Sequence, residues 1–121
     1  MATILVIDDD TSIRRSLRRI LETRGHEVRE ADNGSSALEH EASADLDLVI
    51  TDVYMPEMDG IEFLIRFRDI FPDTPIIAIS GGGYATKEFV LQDAGLIGAT
   101  ETLSKPLTVD GVLNAVDRAL G

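Results

Sequence analysis

The stretch Leu48-Val49-Ile50-Thr51-Asp52-Val53-Tyr54-Met55-Pro56-Glu57-Met58-Asp59-Gly60 decides how the rest of the chain is read. It opens as an apolar, β-branched run, which suits a strand buried on both faces. A carboxylate, Asp52, stands where that run ends. A turn containing Pro56 follows, and Asp59-Gly60 opens a helix. Asp59 is a good N-cap, with Glu62 three residues on, as a capping box requires. An acid at the carboxyl end of a buried strand, facing a loop, is where open α/β sheets place their chemistry. Taken alone, Asp52 is better read as the start of a turn; the other strand ends reverse that preference.

Working outward, Ile4 to Ile7 is a short apolar run that ends at Asp8-Asp9-Asp10. Thr11 or Ser12 can cap the helix that follows, and Asp10 is read as a helix-capping acid alone. Ile13, Leu17, Ile20 and Leu21 recur at helical spacing, with Arg14, Arg15, Arg18 and Arg19 between them, and Gly25 suits the C′ position. His26 to Glu30 alternates around Val28 as a short strand, Asn33-Gly34 marks a turn, and Ala37, Leu38 and Ala42 form the inner face of a weakly patterned helix. Beyond the central strand, Ile61 to Phe71 is a helix with Leu64, Phe67 and Phe71 on one face, where the aromatics read as core. Ile76 to Ile79 is a third apolar run, ending at Ser80-Gly81-Gly82-Gly83. Tyr84 to Ala94 reads as a helix closed by Gly95. Ala99 to Leu103 is a poor strand by composition, placed by its position. Thr108 caps a last helix with Val109, Val112, Leu113, Val116 and Leu120 inward.

Strand and helix therefore alternate five times over 121 residues, enough for one core and too few for two. That order implies a mostly parallel sheet with helices on both faces and right-handed crossovers. Asp8 and Asp9, Asp52, Ser80 and Lys105 all fall at or just past the carboxyl ends of predicted strands, so one edge of the sheet gathers them. With a strand order of 2-1-3-4-5, Asp8, Asp9 and Asp52 converge at the switch point.

Three carboxylates in one place repel, so either a proton or a cation must join them. Cysteine is absent and neither His26 nor His40 falls at this edge, so ligation is by oxygen alone, which suits a hard cation. Mg²⁺ is favoured because it keeps waters and shares its coordination with a phosphoryl group. Asp52 then reads as a nucleophile toward phosphorus, with the Lys105 ammonium, the Ser80 hydroxyl and the backbone N–H groups near Gly81 around it. Each has a bland reading: a capping turn for the acids, a flexible loop for the glycines, a solvated surface lysine. Four such features at four strand ends make a specific pattern. A formal net charge of -11 argues against binding to nucleic acid or an anionic membrane. The N-terminus carries no signal-peptide pattern and no stretch is apolar enough for a bilayer span, so a cytoplasmic protein is expected.

Over essentially its whole length the sequence resembles the receiver domains of bacterial two-component response regulators. The resemblance rests on Leu5-Val6-Ile7-Asp8-Asp9-Asp10, on Thr51 to Gly60 with its Asp-x-x-Met-Pro-x-x-Asp-Gly pattern, on Ile79-Ser80-Gly81 and on Ser104-Lys105-Pro106. It implies one receiver domain over 1–121, with a flavodoxin-like, doubly wound (βα)5 three-layer sandwich. It implies that Asp52 accepts a phosphoryl group from a partner's phosphohistidine, on a sensor histidine kinase or a phosphotransfer protein. Asp9, Asp52 and the Tyr54 carbonyl would ligate Mg²⁺, with Asp8 acting mostly through a water. Ser80 would hydrogen-bond the phosphoryl oxygen, Gly81 would offer a backbone contact, and Lys105 would bridge phosphate to acids. A cis peptide before Pro106 is also implied. Such a domain is a signalling module and not an enzyme in its own right. It would act on a downstream protein target of unknown identity, as a monomer or a weak phosphorylation-dependent homodimer.

Two alternatives stand beside this. Asp8-Asp9-Asp10-Thr11-Ser12 resembles the start of Mg²⁺-dependent haloacid-dehalogenase-type phosphatases, with Asp8 as nucleophile, although Ser12 misses that pattern. A receiver-like interaction module that is never phosphorylated is the other. The chain also departs from the family: Thr102 stands where many receivers carry an aromatic switch residue, so the usual aromatic readout cannot operate there. Tyr54 and Gly82 hold positions that tune the lifetime of the phosphoryl group in the family. Tyr54→Asn is therefore expected to change the dephosphorylation rate, and an unchanged phospho-aspartate lifetime would remove that role.

Overall fold

The computed structural model describes residues 2–41, 45–52, 60–80 and 100–121, with side chains described for all of these except 40, 41, 60–64 and 80. Five strands, β1 (Thr3–Ile7), β2 (Glu27–Ala31), β3 (Leu48–Asp52), β4 (Ile76–Ser80) and β5 (Glu101–Ser104), form one parallel sheet in the order β2-β1-β3-β4-β5. The four described helices are α1 (Thr11–Glu22), α2 (Gly34–Glu41), α3 (Gly60–Ile70) and α4 (Val109–Leu120). The expected helix over Tyr84 to Ala94 and the Asp59 cap lie outside the described residues.

The sheet is parallel because its central strands are apolar on both faces and need cover on both. Alternate residues supply the two sides. Leu5, Ile7, Val49, Ile76 and Ala78 face one core with Ala37 of α2 and Phe67 of α3. Ile4, Val6, Leu48, Ile50, Ile77 and Ile79 face the other, with Leu17 and Leu21 of α1 and Val112, Ala115 and Val116 of α4. The result is the three-layer, doubly wound architecture expected from the sequence. Burying each of these large aliphatic side chains contributes about 1.5–3 kcal/mol. Phe67 is buried and stacks on half-buried Phe71, with ring centroids 4.8 Å apart, which bears out its reading as core.

Helix ends follow local chemistry. Gly25 adopts φ +79°, and its N–H donates to the Glu22 carbonyl at 3.0 Å while the His26 N–H donates to that of Leu21 at 3.3 Å. These paired bonds are a Schellman motif with Gly25 at C′, a left-handed position that glycine fills without steric cost. Thr108 caps α4 through its Oγ1, which accepts from the Gly111 N–H at 3.0 Å.

Two sequence expectations need correction. Asp10 caps α1, as its reading as a helix-capping acid implies, with its Oδ1 accepting from the Ser12 N–H at 2.8 Å; Thr11 and Ser12, offered as caps as well, lie inside the helix. A carboxylate is favoured there by the positive end of the helix dipole. Val109 and Leu120 are 54% and 38% exposed, because the sheet covers the middle of α4 and leaves both ends to solvent. Phe67→Ala, which empties the core beneath α3, is expected to destabilise the fold by about 3–5 kcal/mol in urea unfolding.

Candidate functional site

Three strands deliver the reactive groups to one edge. Asp8 follows the last residue of β1, Asp52 is the last residue of β3, and Lys105 follows the last residue of β5. The registers Ile7↔Thr51 and Asp52↔Ile79 keep these ends level. Ser80, the last residue of β4, pairs with Ser104, so its backbone lies between the strands that carry Asp52 and Lys105. The side chain of Ser80, and Tyr54 and Gly81 altogether, lie outside the described residues.

The Lys105 ammonium reaches over the end of β4 to both acids. Its Nζ donates to Asp52 Oδ2 at 3.0 Å and lies 3.4 Å from Asp8 Oδ2. Asp8 is fully buried, and the residue Asp52 is 5% exposed. Asp8 Oδ1 accepts from the Asp10 N–H at 2.9 Å. Asp8 Oδ2 is buried without a hydrogen bond; the ammonium is near enough to attract it but is not aligned as a donor. Asp9 is exposed, and one carboxylate oxygen each from Asp8, Asp9 and Asp52 lie within 4.8 Å of one another.

This geometry leaves its mark on protonation. Burial raises the Asp8 carboxyl above the usual range; the Asp10 N–H pulls it down, the Asp52 charge raises it again, and Lys105 opposes. Burial works against the Lys105 charge, but the hydrogen bond and charge of Asp52, followed by the charge of Asp8, outweigh it and raise the ammonium. The cluster thus holds more negative charge than one lysine balances. An orphaned buried carboxylate oxygen within a set of oxygen donors is what a small hard cation would satisfy, so the residues present fit Mg²⁺.

Sequence reasoning brought Asp8, Asp9, Asp52 and Lys105 to this edge, and the structure brings the four together. The expected cis peptide joins Lys105 and Pro106. One contact was missed: Arg14 Nη1 donates to the Asp8 carbonyl at 2.5 Å. In the sequence Arg14 stands only as one of four arginines between the apolar positions of α1. Helical side chains point toward the N-terminus of their helix, so an arginine in this first turn covers the acidic turn before it, and that rule was the available signal. A groove of about 450 Å³, lined by Ala2, His26, Asp47, Pro75, Ala119 and Leu120, opens at the opposite edge of the sheet. It has no part in this chemistry, which lies with the acids.

Comparison with known proteins agrees with this geometry. The family described as response regulator receiver domain matches residues 4–117. The response regulator receiver protein CpdR of Brucella abortus is 36% identical over 120 residues, covering 99% of this chain and 98% of CpdR. The DNA-binding transcriptional regulator NtrC of Azospirillum brasilense is 40% identical over 119 residues, covering 98% of this chain and 24% of NtrC. The chain thus spans about a quarter of that regulator and nearly all of CpdR. Among solved structures, the chemotaxis protein CheY4 of Vibrio cholerae superposes with a TM-score of 0.87 at 34% identity, covering 99% of each chain.

The raised Asp8 has a consequence for stability. A carboxyl raised in the folded state favours folding while it is protonated, and that contribution is lost as pH rises through its folded-state value. Without divalent cation, Asp8→Asn is therefore expected to be more stable than the wild type near neutral pH. The gap should narrow toward acid pH. Urea unfolding in chelator at several pH values measures it.

Proposed function

The chain belongs to the response regulator receiver domain family, and on that footing we propose that Asp52 accepts a phosphoryl group from the phosphohistidine of a sensor histidine kinase or phosphotransfer protein. The observation that carries this reading is the Lys105 contact: one ammonium hydrogen-bonds Asp52 and lies beside Asp8, in a cluster with Asp9. A carboxylate oxygen of Asp52 attacks phosphorus as the P–N bond breaks, and the electron pair leaves with the imidazole, whose other ring nitrogen carries a proton so that the leaving group is neutral histidine. The product is an acyl phosphate on Asp52.

Such a transfer rests on positioning and on charge neutralisation around the phosphoryl oxygens. Asp8, Asp9 and Asp52 would hold Mg²⁺, with the Tyr54 carbonyl as a further ligand. When bound, the ion supplies positive charge that these acids and the phosphoryl oxygens share. Lys105 keeps Asp52 in place before transfer and offers its charge to the phosphoryl group afterwards. Ser80 and the Gly81 N–H take up the remaining phosphoryl oxygens. Phosphorylation then shifts a two-state equilibrium, because the phosphoryl group prefers the state that brings Ser80 to it.

The output is a change in protein contacts, made in the cytoplasm by a monomer or a weak phosphorylation-dependent homodimer. Among the described residues no helix is long and apolar enough to cross a membrane. The family match and the 2-1-3-4-5 sheet support this reading over a phosphatase with Asp8 as nucleophile.

Acetyl phosphate with Mg²⁺ is expected to label Asp52 once per chain, as mapped by mass spectrometry. Asp52→Ala should abolish labelling with the fold intact. Lys105→Ala should still accept phosphate but shift its conformation little, as judged by amide chemical shifts. Label on Asp8 with continuous turnover of phosphomonoesters would establish the phosphatase instead, and no label at all the unphosphorylated module.

A further inference from the structure

The backbone of Asp8 is tied to two other elements. Its N–H donates to the Ala31 carbonyl at the end of β2, at 3.2 Å. Its carbonyl lies one residue past the last ladder pair of β1 and needs a donor from elsewhere. Arg14 of α1 provides it, Nη1 to oxygen, at 2.5 Å. The same guanidinium donates through Nε to Glu30 Oε1 at 3.2 Å and through Nη2 to Thr11 Oγ1 at 3.1 Å. Its side chain is 15% exposed. Glu30 in turn accepts from Arg18 Nε through its other oxygen, at 2.6 Å.

We propose that Arg14 is a positioning residue for the acidic cluster, fixing through the Asp8 carbonyl the directions in which Asp8 and Asp9 present their carboxylates. The Asp8 carbonyl and the Asp9 N–H belong to one planar peptide unit. Holding the oxygen therefore sets the plane from which the Asp9 side chain departs. It also sets the turn that lets the Asp10 N–H reach Asp8 Oδ1. Glu30 and Thr11 fix the rotation of the guanidinium, so its third donor has one direction to point. A planar fork holds its three acceptors in fixed directions; a lysine ammonium also carries three donors, but on a flexible stem it lacks that fixed geometry. Arg18 shares Glu30 but bonds Glu30 and Glu22 and not Asp8, which makes it the internal control. The proposal rests on the reading of the cluster as a Mg²⁺ site.

Mg²⁺ alone is titrated into the unphosphorylated full chain, followed by amide chemical shifts, and exchange of the Asp10 amide is measured in chelator. Arg14→Ala and Arg14→Gln are expected to bind Mg²⁺ about tenfold or more weakly, in the range found when groups that orient metal ligands are removed. Their Asp10 amide should exchange faster with no metal present. Arg14→Lys should recover part of the affinity. Arg18→Ala should lose thermal stability and keep its affinity for Mg²⁺. Wild-type affinity and Asp10 exchange in a folded Arg14 variant would overturn the proposal, as would an equal loss of affinity in Arg18→Ala. A wild-type chain that binds no Mg²⁺ would sink the receiver reading instead, and Asp10 exchange in the metal-free variants would still decide whether Arg14 holds the turn.

Discussion

One cation reaching sideways holds this site together. Lys105 follows β5, Asp52 ends β3 and Asp8 follows β1, and β3 and β5 are not neighbours. The ammonium crosses the end of β4 to meet Asp52 at 3.0 Å and to stand 3.4 Å from Asp8. A parallel sheet makes such convergence unavoidable, since every strand delivers its carboxyl end to the same edge. Acids placed there repel each other unless something positive joins them. Lys105 supplies one charge among three carboxylates, and the buried, unbonded oxygen of Asp8 shows where the balance falls short.

That imbalance is tolerated because the rest of the fold is conservatively built. Burying charge is costly, and an ion pair seldom recovers the whole cost of leaving water. Here two apolar cores, one on each face of the sheet, offset it. Ile4, Leu5, Val6, Ile7, Leu48, Val49, Ile50, Ile76, Ile77 and Ile79 are fully buried on the three central strands. Directly beyond them the chain turns acidic, at once in Ile7-Asp8 and after one buried polar residue, Thr51, at Asp52. The same strands thus set both the stability of the domain and the position of its reactive groups.

How much was legible follows from what each segment has to do. β1, β3 and β4 are covered on both faces and advertise it in apolar runs, so the centre of the sheet and the gathering of Asp8 and Asp52 could be read directly. β5 lies at the edge and carries no fully buried residue, so Glu101-Thr102-Leu103-Ser104 has no reason to look like a strand; position placed it. Helix periodicity marks which residues share a face but not where the cover ends, which is why Val109 and Leu120 were drawn inward wrongly. Choosing Asp10 over Thr11 or Ser12 as cap needed the backbone angles, since all three side chains can accept from the first turn. The contact of Arg14 with the Asp8 carbonyl depends on a side chain folding back along its helix, which residue spacing alone does not display.

The two outer strands differ from the inner ones in a further respect. β2 reads Glu27-Val28-Arg29-Glu30-Ala31, with Glu27 and Arg29 exposed, and β5 is four residues long with proline two positions beyond its end. Charged side chains, brevity and a nearby proline all discourage another chain from adding a strand at an open sheet margin. Copies of this molecule at high concentration are thereby steered away from edge-to-edge polymerisation. Among the described residues, the outer surfaces of the helices are better suited to association, through contacts between side chains and not a shared backbone ladder.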